Sequence, residues 1–402
     1  MAMDRLPSPL ASLVLLISAA IPLAAASPSL TDDSRCGCFL TNGTEDSFFS
    51  KHSFFDFRNL AQYAGVPAVI PNSADSASAS STSDYFKSTA WTDWWMVGSW
   101  NNSLNNRGDS TVLMINSPNN IYIEANNDKV PASQTFLTLR TQRLEEFQTA
   151  AEIESVSPGF QFLSMRMLAR TIGAKGAITA MFTYRGADKL ADVQEADLEV
   201  LTRDPRNLVH YTNQPSYTVG GDTIEKATEN ATMPDGLDWT NWAVHRFDWT
   251  PTMSTWFVNG KVVANISFQT PRDSSKVIFN AWSDGGQWSG NMSTFDAAYL
   301  QIQWFDIVYN STETKSSRKR NNDVDEQADF GPHGVLAKRA GEASTCKTVC
   351  SIDETSKQGQ PVMLWNNAAA RSRVSLSGGL AAWIPSVVVL ATFALSTRLL
   401  WY

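Results

Sequence analysis

In the run Val193–Leu201 (VQEADLEVL), Glu195, Asp197 and Glu199 alternate with Ala196, Leu198 and Val200. This alternation predicts a β-strand whose acids share one face while the apolar residues share the other. Like charges stacked on one face cost a sheet stability, so the pattern asks for a chemical reason. Retaining cleavage of a glycosidic bond supplies one, because it needs a carboxylate nucleophile and a carboxylic acid/base about 5–5.5 Å apart. Four residues at about 3.3 Å each separate the Cα atoms of Glu195 and Glu199 by roughly 13 Å. Side chains leaning toward each other by about 4 Å apiece bring the carboxyls near the retaining distance. Asp197, between them with a shorter reach, is placed to hold a proton or hydrogen bond that keeps the glutamates in different charge states. A solvated strand with a polar face is the competing reading.

The elements that must position this strand are themselves short strands. Thr111–Asn116, Asn120–Glu124, Thr135–Arg140, Phe162–Leu168, Ala177–Tyr184, Val244–Trp249, Thr255–Val258, Lys276–Asn280 and Leu300–Tyr309 carry strand composition between turn residues. Asn259-Gly260 marks a two-residue hairpin turn. The chain is therefore expected to be all-β, a sandwich of two antiparallel sheets. The low-complexity run Asn72–Asp84 reads as a flexible surface loop.

Around the acids stand Gly176–Gly186 (GAITAMFTYRG), Val209–Asn213 (VHYTN), Asn241–Pro251 (NWAVHRFDWTP), Ser254–Lys261 (STWFVNGK) and Phe279–Gly286 (FNAWSDGG). In this order and spacing they resemble glycoside hydrolase family 16, the lichenase and laminarinase group with its fungal and plant cell-wall transglycosylases. The resemblance extends from about Phe54 to Tyr309. It implies a β-jelly roll with a concave substrate cleft, Glu195 as nucleophile, Asp197 as assisting acid and Glu199 as acid/base. Ala196 departs from the large aliphatic residue usual after the first Glu. The single residue between Asp197 and Glu199 matches the lichenase-like and transglycosylase-like branches. By the same resemblance Trp282 faces the sugar, with core packing as the alternative, and His245 occupies a position where members often carry a histidine near the acid/base, to tune Glu199 through a hydrogen bond or to serve a structural role. Tyr184 and Asn213 are candidates for contacting sugar hydroxyls, with packing or turn roles as alternatives. No cluster has metal-ligand spacing, and the implied mechanism needs neither metal nor organic cofactor.

The chain has 402 residues, 43% of them hydrophobic, and a formal charge of −8 with pI near 5.1. No basic patch is available to neutralise phosphates, which argues against nucleic acid as a partner. A neutral β-glucan makes no such demand. Fourteen Trp and nine Tyr are a heavy aromatic load, most of it expected in the core and a few rings in a cleft.

Both ends read as processing signals. Residues 1–26 form a signal peptide, with an apolar run from Leu10 and Ala24-Ala25-Ala26 before the cut. Residues 368–402 read as a GPI-attachment propeptide: small residues, a polar spacer, then an apolar run from Leu380 with almost no basic tail. Between them lie an N-terminal segment at 27–53 with Cys36 and Cys38, the catalytic sandwich at 54–312, a polar linker at 313–345, and a segment at 346–367 with Cys346 and Cys350. The linker contains Lys319-Arg320 and Lys338-Arg339, read as a solvated charge run or as dibasic processing sites. A Cys36–Cys38 bond would close a strained tiny ring, so cross-pairing of the two cysteine clusters is expected, with a four-thiolate zinc site as the alternative. Six N-x-S/T sequons, at Asn42, Asn101, Asn230, Asn265, Asn291 and Asn310, suit a secreted glycoprotein. The expected protein is a secreted, lipid-anchored, monomeric β-glucan glycosidase. A transglycosylase using a sugar-chain acceptor and a non-catalytic lectin-like protein remain open alternatives.

Overall fold

The computed structural model describes residues 29–102, 108–313 and 346–366. The signal segment, the dibasic pairs and the anchor tail lie outside the described residues.

The sequence-predicted strands form, and most lengthen by a few residues. The inner sheet runs, in hydrogen-bonded order, Trp95–Val97, Phe147–Ser155, Lys276–Trp282, Ile178–Arg185, Gln194–Leu201, Leu208–Gln214 and Thr228–Thr232. The outer sheet is built on Ala297–Ser311 and Phe160–Gly173, continued by Ala243–Trp249, Ser254–Val258 and Lys261–Ile266. On its other side Ala297–Ser311 pairs with Lys51–Asp56 along one half and with Thr135–Arg143 along the other.

Strand Phe147–Ser155 passes from one sheet to the other. Its first half pairs in parallel with Leu113–Asn116 and its second half pairs antiparallel with Lys276–Trp282, so the sandwich is nearly closed. The alternation read from the sequence fills the space between the sheets. Ala196, Leu198 and Val200 point inward from the acid strand, beside Met181 and Phe279 of its sheet and opposite Met165, Met167, Phe247 and Phe305. Phe279 and Phe305 stack across the interior at 5.0 Å. Asn259 and Gly260 both take positive φ, 48° and 79°, as the tight hairpin requires.

Residues 72–84 are not a loose loop. Asn72 Oδ1 accepts the backbone N–H groups of Ala74 and Asp75 and so caps a short helix, Ser73–Ala77. Ser76 is buried, with Ser117 Oγ donating to its carbonyl. The serines serve as caps and small packing residues, which composition does not distinguish from a linker.

The two chain ends meet in a third, five-stranded sheet ordered Ser29–Leu30, Val362–Asn366, Thr348–Ser351, Cys38–Asn42 and Asp46–Phe49. Disulfides Cys36–Cys350 and Cys38–Cys346 join it, the cross-pairing expected. This cap covers the outward face of the outer sheet. There Asp353 of the cap pairs with Arg166 and Arg246, Arg246 also pairs with Asp248, and His52 lies between Asp33 and Asp306.

Candidate active site

The exposed face of the inner sheet gathers its polar residues in rows that cross the strands. Glu152, Asn280, Ala180, Glu199 and His210 are successive register partners. Asp197 sits in the next row between Phe182 and Thr212, and Glu195 in the third between Tyr184 and Gln214. The structure therefore brings the three acids to one face of one strand.

Their environments differ. Glu195 and Glu199 are half-buried, whereas Asp197 is only 4% exposed. Burial first, then the charges of Glu195 and Glu199 and a hydrogen bond to Glu195, push the Asp197 carboxyl well above the usual range. A proton retained on Asp197 can be donated in a hydrogen bond to Glu195, which favours the carboxylate form of that glutamate. Gln214 Nε2 donates to Asp197 Oδ2 at 3.3 Å, and Trp288 Nε1 donates to Glu199 Oε2 at 3.1 Å.

The expected sugar-contacting residues distribute unevenly. Tyr184 is beside Glu195 and 38% exposed, and burial followed by the Glu195 charge raises its phenol. Trp282 is on the acid face, two residues along from Asn280, but it is buried against Met114, Ala150, Ile178 and Leu201. Asn213 is a correction. It pairs with Ala196, shares the inward-facing side of the sheet, and spends its amide on the carbonyls of Ile266 and Phe268 at 3.2 and 2.9 Å. His245 is a second correction. It stands on the outer sheet beside Met167 and lines a small interior cavity with Leu198, Val200 and Trp239, behind the acid strand. Burial lowers its imidazole to about 4, so it is neutral there.

Several residues were not read from the sequence as site residues. His210, the cross-strand neighbour of Glu199, holds Asp204 Oδ2 through Nε2 at 2.7 Å and meets the Trp288 ring edge-on at 5.4 Å. At the far end of the Glu199 row, Trp100 Nε1 donates to Glu152 at 3.1 Å. Burial raises the Glu152 carboxyl, against the hydrogen bonds from Trp100 and Asn280. Lys276 pairs with Glu154 at 2.9 Å on the same face. Trp100, Tyr184 and Trp288, each between 38% and 43% exposed, lie along this face as aromatic surfaces. Among the described residues no group of three His, Cys, Asp or Glu is arranged to hold a metal ion.

Residues 115–305 match the sequence model of the glycosyl hydrolases family 16. This region belongs to glycoside hydrolase family 16. The family 16 region is 27% identical over 133 residues to a beta-glucanase of Bacillus subtilis, covering 32% of this chain and 51% of that protein. It is 26% identical over 140 residues to a beta-glucanase of Paenibacillus polymyxa, covering 34% and 54%. The chain thus spans about half the length of the curated relatives it matches. Among solved structures, a lichenase from a mouse hindgut metagenome aligns at 16% identity with TM-score 0.43, over 64% of this chain and 99% of that one. The beta-glucanase of Bacillus licheniformis aligns at 19% identity with TM-score 0.40, over 54% and 92%.

Proposed function

We propose that this protein is a retaining endo-β-glucan hydrolase. The observation that carries the reading is the buried Asp197 hydrogen-bonded to Glu195, with Glu199 on the same face of the same strand. Three crowded carboxyls make no structural sense as a solvated strand, since the central one is removed from water and its carboxyl is pushed up by burial and by its two acidic neighbours. Glu195, kept ionised, attacks the anomeric carbon, and Glu199 gives its proton to the departing glycosidic oxygen, leaving a glycosyl-enzyme ester. Glu199, now a carboxylate, takes a proton from the incoming water, which displaces Glu195 and restores the start state.

The β-glucan substrate is supported by the similarity to the beta-glucanases of Bacillus subtilis and Paenibacillus polymyxa. It is also supported by the exposed rings of Trp100, Tyr184 and Trp288 along the acid face. We place the protein outside the cell as a monomer, held at the membrane or wall by a lipid anchor. Signal-like and anchor-like ends, two disulfides and sequons at exposed Asn42, Asn101, Asn230, Asn265 and Asn291 support that placement. Asn310 is buried, its side-chain oxygen accepting from the Ser50 N–H, and is a poor glycan site once folded.

The test is product analysis on β-1,3, β-1,4 and mixed-linkage oligosaccharides, with and without labelled chitin-oligosaccharide acceptors. Shorter products alone are expected, and Glu195→Gln should abolish them without lowering the unfolding midpoint. Longer or hybrid products would identify transfer to a sugar acceptor instead. Binding without any product, or full activity in Glu195→Gln, would overturn the glycosidase reading.

A further inference from the structure

Trp288 is 40% exposed, yet the one polar atom of its side chain is committed to Glu199 and the residues on either side of it are clamped. Asp284, buried at 3%, accepts the Gly286 N–H at 2.9 Å, the Ser289 hydroxyl at 2.9 Å and the Ser110 hydroxyl at 3.0 Å. Asp109 accepts the Gln287 N–H at 2.7 Å, and the Arg203 guanidinium donates to the Gln287 carbonyl. Gly285 turns the loop at φ 70°, where any Cβ would collide with Thr111. On the other flank His210, tied to Asp204, stands edge-on to the indole. An exposed aromatic needs no such support for burial. The clamp fixes where the indole N–H points.

Resting on the glycosidase reading, we infer that Trp288 is a positioning residue for the acid/base, fixing Glu199 and favouring its carboxylate form. The groups facing Glu199 are Asp197 and Glu195 on its own strand and His210, with Asp204, on the next. Glu152 lies beyond Ala180 and Asn280 in its row, and Arg203 stands at the loop. The carboxylates among them oppose a negative charge on Glu199, and a donated indole N–H favours it. Glu199 must lose its proton to the leaving group and then act as base, so the hydrogen bond serves the state that the second step requires. The indole takes no proton and forms no covalent bond in either step.

The test uses the full-length protein with 15N-labelled indoles. The Trp288 resonance is identified as the one missing in Trp288→Phe. In the wild type it should move with pH as a neighbouring carboxylate titrates, and in Glu199→Gln that movement should vanish. In Trp288→Phe the basic limb of the pH–rate profile should rise by about half a unit to one unit, because a donor to the carboxylate is lost. His210→Gln should shift it less in the same direction. A resonance that ignores Glu199→Gln, or a Trp288→Phe profile lowered without displacement, overturns the inference while leaving the glycosidase reading intact. An inactive wild type overturns the glycosidase reading and with it any catalytic purpose for Trp288.

Discussion

The two faces of the sandwich each bury a cluster of ionisable groups, and the clusters are built on opposite principles. On the inner sheet Glu195, Asp197, Glu199 and Glu152 stand together as acids, with neutral donors from Gln214, Trp288, Trp100 and Asn280 and the Lys276 cation near Glu152. On the outer sheet Arg166 and Arg246 meet Asp353 and Asp248, and His52 meets Asp33 and Asp306, so nearly every charge has an opposite partner. Like charges held together are a standing cost to the fold, tolerated where proton transfer needs perturbed acids. Opposite charges held together are a fastening. Here they fasten the cap made by the two chain ends onto the sandwich. One cluster should therefore show its mutations in activity, the other in stability.

Asp353→Ala should give the larger effect. It leaves Arg166 and Arg246 short of a carboxylate and the Asn42 N–H without its acceptor, at 2.8 Å in the intact protein. Breaking a buried pair from one side costs about 3–5 kcal/mol. Denaturant unfolding should show that loss, with activity per folded molecule unchanged; a matching fall in activity would break the separation of the two faces. Asp197→Asn should do the reverse. The amide keeps a donor toward Glu195 but removes the proton that tunes the site, and activity should fall about 10–100-fold. Stability should hold or rise, since a buried acid among acids is gone. A destabilised but active Asp197→Asn would refute the contrast.

The acids were legible because their signal is local: a period of two within a single strand fixes one face whatever the strand pairs with. Asn213 and His245 were misplaced because their roles depend on register and sheet membership. Had the strand Leu208–Gln214 slipped by one residue, Asn213 would lie on the acid face and Gln214 toward the core. Nothing in the Asn241–Pro251 motif says which sheet receives it. Trp288 sits in a loop closed by Asp109, 178 positions away from Gln287, a contact with no local trace. That the two cysteine clusters cross-pair followed from an argument about ring size, but which cysteine meets which did not. That the same residues weave a five-stranded sheet did not, because strands of two to five residues carry too little pattern.

The smallest of the predicted effects concerns pH and isolates the cap. Both ring nitrogens of His52 face carboxylate oxygens, Nδ1 to Asp33 at 2.6 Å and Nε2 to Asp306 at 2.7 Å, so the pairing suits a doubly protonated ring. Burial alone would lower this imidazole. The hydrogen bonds and charges of Asp306 and Asp33 outweigh burial and raise it to about 9. A histidine raised on folding binds its proton more tightly in the native state. Its stabilisation is complete below about 6.5 and disappears as pH climbs through about 9. Because Asp33 is half exposed and its share is screened, the expected loss is about 1–2 kcal/mol. Unfolding measured from pH 6 to pH 10 should show that decline in the wild type, and His52→Gln should flatten it. A decline that persists unchanged in His52→Gln would place the pH-sensitive fastening elsewhere. If it instead vanished in Asp197→Asn, the inner face would be setting the stability of the whole, against the division of labour between the two clusters.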